Sequence, residues 1–82
     1  MALVKIKLVD ATGQALEGCT VKVTGSGALQ TNADGRTQFL LENDVPMQVD
    51  INGVQAWAGN SSELARDESF QQNASGFIRI VV

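Results

Sequence analysis

The sequence predicts an all-β protein, an antiparallel β-sandwich of six or seven strands in a single domain spanning residues 1–82. Three observations carry that prediction. Apolar and polar residues alternate with period two in several short runs, as strands with one buried face require. Clusters rich in Gly, Asn and Asp separate the runs, supplying positive φ and side-chain-to-backbone bonds at turns. One dipeptide, Asn52-Gly53, stands between two alternating runs and marks a two-residue hairpin.

Taken in order, the first run places Val4, Ile6 and Leu8 on one face and Lys5, Lys7 and Val9 on the other. Asp10-Ala11-Thr12-Gly13-Gln14 is turn chemistry, and Leu16 tucks back beneath the sandwich. Cys19, Val21 and Val23 alternate with Thr20, Lys22 and Thr24 until Gly25-Ser26-Gly27 breaks the strand. Ala28 to Thr31 is a short strand, and Asn32-Ala33-Asp34-Gly35 turns the chain into Thr37, Phe39 and Leu41. Pro46, tolerated only at a strand start or edge, precedes the run Met47, Val49, Ile51. The Asn52-Gly53 turn sets the register that follows: Ile51 opposite Val54, Val49 opposite Ala56, Met47 opposite Ala58. Trp57 then falls on the outer face, beside Gln48, Asp50 and Gln55. Residues 59–76 read as a loop with one or two helical turns, capped at Ser61 or Ser62 and carrying a weak stripe of Leu64, Ala65 and Phe70. The closing strand, Phe77 to Val82, puts Ile78, Ile80 and Val82 on one face, with Phe77, Arg79 and Val81 directed outward.

Composition narrows the function classes. A chain of 82 residues buries only roughly 60–65% of its unfolded surface, so its core is modest. One cysteine, Cys19, makes an internal disulfide impossible, leaving contact with a second copy as the obvious reinforcement. The net charge is −3 and the six Lys and Arg are dispersed, which argues against nucleic acid as a partner. No run approaches the ~18 apolar residues of a membrane span, and no leader pattern opens the chain. The expected location is the cytoplasm, or the cell exterior if the chain is excised from a larger surface protein.

The residues Asp10-x-x-Gly13-x-x-Leu16-x-Gly18-x-x-Val21-x-Val23, followed by Thr31-Asn32-Ala33-Asp34-Gly35-Arg36-Thr37-x-Phe39-x-Leu41, form a familiar pattern. It resembles the carboxypeptidase regulatory-like domains and the collagen-adhesin B-type repeats, over about half the chain. The resemblance implies a transthyretin-like (or immunoglobulin-like) sandwich, and roles as stalk, linker, adhesion or assembly module. It does not select among them. Transthyretin-like hydrolases use histidines and a tyrosine motif, and this chain has neither residue type. Adhesin repeats often carry a Lys–Asn isopeptide bond. Lys5 falls near the place of the reactive lysine, but the last strand offers no Asn or Asp, and a solvated Lys5 is the expected outcome.

Catalysis is not expected. Acid–base chemistry needs titratable groups held within hydrogen-bond reach, yet the chain lacks His and its carboxylates sit in turns; Glu63, Asp67 and Glu68 read as a solvated face. Cys19 reads as a small core residue. No cofactor is expected, and no metal, because Asn32-Ala33-Asp34-Gly35 supplies too few oxygens for calcium. The expected role is a non-catalytic structural or protein-interaction module, self-associating or binding a protein partner through an outer face bearing Trp57. Gln48 and Gln55 flank that Trp, and Leu64 and Phe70 of the irregular segment complete the candidate interaction residues. The rival reading is a carbohydrate- or small-ligand-binding module using Trp57 with Gln48, Asp50 and Gln55; an adhesin or phage surface repeat is the third.

Overall fold

Eight strands form two four-stranded sheets in the computed structural model, which describes residues 2–80. They are β1 (Ala2–Val9), β2 (Thr20–Val23), β3 (Gly27–Gln30), β4 (Arg36–Leu41), β5 (Pro46–Ile51), β6 (Val54–Asn60), β7 (Asp67–Asn73) and β8 (Gly76–Ile80). One sheet runs β4-β1-β7-β8 and the other β3-β2-β5-β6. All neighbouring strands are antiparallel except β1 and β7, which run parallel. The protein is an all-β sandwich. Val81 and Val82, assigned to the last strand by pattern, lie outside the described residues.

The inner faces are the ones the alternation predicts for most strands. Val4, Ile6 and Leu8 of β1 meet Val21 and Val23 of β2, Phe39 and Leu41 of β4, Met47, Val49 and Ile51 of β5, and Phe70 of β7 in one core. Leu16 and Cys19 pack against its margin, as a tucked loop and a small apolar thiol should. Val9 has outward parity but is buried. The loop after it returns to bridge Val9 with Ala15, and the Gln71 side chain reaches across to the carbonyls of Asp10 and Ala11.

Two loops use the same device. The Asp10 carboxylate accepts bonds from the Thr12 N–H at 2.9 Å, the Thr12 hydroxyl at 2.6 Å and the Gln14 N–H at 3.0 Å. The Asn32 side-chain oxygen likewise accepts from the N–H groups of Asp34 and Arg36. Gly35, at φ +73°, closes the second loop where a Cβ would stand 2.6 Å from the Leu8 carbonyl oxygen, so no larger residue fits.

The bonds from Thr12, then Gln14, hold the Asp10 carboxyl below its ordinary value of 3.8. All of them favour the charged form. A carboxylate depressed by folding stabilises the protein above its unfolded pKa, and that stabilisation is lost as pH falls through the folded one. The carboxyl carbon resonance of Asp10 should therefore titrate at a lower midpoint than an aspartate in an unstructured peptide. A midpoint at or above 3.8 would contradict the loop geometry.

The structure departs from the sequence expectation in three places. The first is the β5–β6 hairpin. Asn52 and Gly53, at φ +52° and +83°, make the expected turn and Ile51 pairs with Val54. Past Asp50–Gln55 the register shifts, so that Val49 pairs with Trp57, Gln48 with Ala58 and Met47 with Gly59. Ala56 is the extra residue of a β-bulge, which moves every later side chain of β6 to the opposite face.

The second is residues 59–76. They hold the end of β6, one 3₁₀ turn (Ser61–Glu63) capped by Asn60, and the whole of β7. Among the described residues there is no α-helix. β7 escapes pattern reading because its sequence, DESFQQN, carries a single apolar residue, Phe70. The third is the last strand. Gln72 pairs with Phe77 and Phe70 with Arg79, so Phe77 and Arg79 face inward while Ile78 is exposed. The face assignment of β8 is the inverse of the one its isoleucines suggest.

Candidate functional site

The two open margins of the sandwich differ. At one, β6 lies against β8 and the gap is filled by a polar clamp built on Arg79. Its guanidinium grips Glu68 with two bonds, Nε to Oε1 at 3.0 Å and Nη2 to Oε2 at 2.7 Å. Nη2 also donates to the Glu63 carbonyl at 3.1 Å, and the guanidinium carbon sits 5.8 Å from the centroid of the Trp57 ring. Glu68 is 5% exposed and accepts a further bond from the Ala65 N–H. Such a bidentate, partly desolvated pair with a ring beneath the cation is a stiff three-way cross-link.

The indole lies back over its own strand, and Gly59 makes this possible. A Cβ there would stand 2.8 Å from Trp57 Cζ2 and run into the Glu63 carboxylate. The Glu63 carboxylate in turn accepts from the Asn60 N–H at 2.9 Å, closing the capping box of the 3₁₀ turn. Local sequence thus shapes the clamp: bulge, glycine, capped turn, then the buried acid.

The residues expected to form an outer interaction face do not come together. Trp57 is half-buried and turned toward the core by the bulge. Gln48 and Gln55 remain on the outer face with Asp50, where Gln48 Nε2 donates to Asp50 Oδ1 at 2.7 Å. Leu64 is half-buried against the core, and Phe70 is fully buried. A site combining Trp57 with Gln48, Asp50 and Gln55 is therefore split between the two faces of one sheet. The expectation that Glu68 belongs to a solvated face is also overturned. Lys5 is exposed, flanked within its own sheet by Gln38 of β4 and Asp67 of β7. Glu68 and Arg79 were missed, although one signal was available: Glu68 has the parity of Phe70, two residues on.

At the other margin β3 and β4 are not joined in this way. β3 is exposed along its whole length, and Leu29, which pairs with the fully buried Val21, is still 47% exposed. A groove of about 280 Å³ runs between the Thr24-Gly25-Ser26 turn and the end of β4. On the outer face beside it, Leu3 pairs directly with Leu40; they are 44% and 55% exposed. Gly35 O accepts from Leu8 N–H, which makes the odd-numbered residues of β4 the ones bonded to β1. Leu3 and Leu40 then form a non-hydrogen-bonded pair, whose side chains approach most closely.

Fold and side chains together define a small all-β sandwich module, clamped at one margin and open at the other. No family model matches the chain, and no characterised protein or solved structure matches it either. Among the described residues, no three His, Cys, Asp or Glu side chains are grouped so as to hold a metal ion, and no helix is long and apolar enough to cross a membrane.

Proposed function

We propose that the protein is a non-catalytic structural module that associates with itself through the outer face of the β4-β1-β7-β8 sheet. The observation that carries this reading is the Leu3–Leu40 pair, two large apolar side chains in register, about half exposed, beside an uncovered strand. The interior polar groups support it, because each is committed to holding the fold. Thr31 ties the Leu16 carbonyl to the Cys19 N–H, and Ser61 ties the Glu42 carbonyl to the Val45 N–H. Glu68 is held by Arg79. The sandwich and its Asp10 and Asn32 loops also support kinship with carboxypeptidase regulatory-like and B-type adhesin modules, whose roles are of this kind. The apolar surface implicated is on β1 and β4, not at Trp57.

Light scattering tests the proposal. The wild-type chain is expected to run as a dimer at high-micromolar concentration, and Leu40→Lys to shift it toward monomer while leaving the far-ultraviolet spectrum unchanged. A wild-type monomer at every concentration sinks the reading.

A further inference from the structure

The open margin carries a further deduction, which rests on self-association as proposed above: the geometry points to a second copy of this chain as the occupant of the β4 edge, paired antiparallel about a two-fold axis at Phe39. β4 ends its sheet, and past Arg36, which is charged and covered by Asn32, it carries no charged residue, no Pro and no bulge up to Leu41. Since the odd-numbered residues bond β1, the N–H and C=O groups of Arg36, Gln38 and Leu40 point to the free edge.

These groups are not equally available. Asn32 already occupies both backbone groups of Arg36, its N–H donating to the Arg36 carbonyl and its side chain accepting the Arg36 N–H, each at 3.0 Å. Beyond the strand, the Glu42 carbonyl accepts from the Ser61 hydroxyl at 2.8 Å. Among the described residues, nothing engages the edge groups of Gln38 and Leu40. Of the antiparallel self-pairings, one uses these two residues and nothing else: Gln38 opposite Leu40 of the second copy, Leu40 opposite its Gln38, and Phe39 opposite Phe39. Shifting the axis to Gln38 would need Arg36, and shifting it to Leu40 would need Glu42.

The same register has two side-chain consequences. It ends the backbone pairing where Asn32 meets Arg36 and Ser61 meets Glu42, and there brings the long, exposed Arg36 side chain toward Glu42 of the second copy, twice per dimer, on the outer face. In the single chain Arg36 stands directly across from Lys7, and among the described residues the only ion pair is Glu68–Arg79. It also brings the two Leu40 side chains to diagonal positions, so that Leu3, Leu40 and their copies form one stripe of four leucines across the junction. Backbone groups, charge and apolar surface all favour one register.

Charge reversal tests it by sedimentation. Arg36→Glu and Glu42→Arg both lie on exposed positions, and each replaces two attractive pairs with two repulsive ones. Each is expected to weaken the dimer about tenfold or more. The double variant Arg36→Glu/Glu42→Arg restores both pairs and should recover wild-type dimerisation, a result that a general surface-charge effect would not give. A wild-type dimer that ignores both reversals, or a double variant that stays monomeric, overturns the β4 register. If Leu40→Lys still dissociates that dimer, self-association through this face stands without it. A monomeric wild type overturns both.

Discussion

Phe70→Ala is expected to cost about 3–5 kcal/mol, because the ring is the largest fully buried side chain and its removal leaves a cavity between the sheets. A domain of this size holds only about 5–10 kcal/mol in total. The melting temperature should fall by roughly 12–40 °C at roughly 4–8 °C per kcal/mol. Phe70→Leu, which keeps most of the volume, should lose only about 1 kcal/mol. Thermal unfolding followed by circular dichroism separates the two. If alanine were no worse than leucine, β7 would not contribute its one apolar residue to the core, and the placement of residues 67–73 as a central strand would fail.

Arg79→Met is the second large effect. Methionine preserves the apolar stem over Trp57 but leaves the Glu68 carboxylate, 5% exposed, with one backbone donor from Ala65. An uncompensated buried charge of this kind costs about 3 kcal/mol. The pair itself need not be stabilising relative to an apolar one, since two ions were dehydrated to form it. The double variant Glu68→Met/Arg79→Met should therefore recover most of the loss, giving a coupling of about 2–3 kcal/mol in a double-mutant cycle. Additive losses would show that the two side chains act separately, in contradiction to their bidentate contact.

The clamp and the core also show what could be read from the residues alone. Where burial follows apolar pattern, alternation gave the right face: Val4, Ile6 and Leu8; Val21 and Val23; Phe39 and Leu41; Met47, Val49 and Ile51. Turn chemistry was equally direct at Asp10, Asn32 and Asn52, because each side chain or positive φ acts within a few residues. The failures share one cause, a long-range contact overriding a local signal. Glu68 is buried and Arg79 half-buried where they meet each other, and the register of β8 that brings them together turns Ile78 outward and Phe77 inward. The Ala56 bulge cannot be seen in an Asn-Gly turn, whose two residues set only the first pairs of the hairpin. That one extra residue moved Trp57 from the surface to the clamp, and with it the expected interaction site. The Leu3–Leu40 pair needed strand order, since nothing local says that residues 3 and 40 are neighbours.

The parallel pairing of β1 with β7 has a consequence for how the chain acquires its structure. β1 comes first of the eight strands in chain order, yet it lies in the interior of its sheet, with Lys5 beside Asp67 and Val9 beside Gln71. One flank can be filled early by β4, while the other stays vacant until β7, the seventh strand in chain order, has emerged. Closing so long a loop is slow, and the reward comes only at the end. The β3-β2-β5-β6 sheet, made of segments close in sequence, has no such delay. The domain is thus set to assemble one half first and to wait for β7 to complete the other, with the apolar side of β1 unsheltered meanwhile.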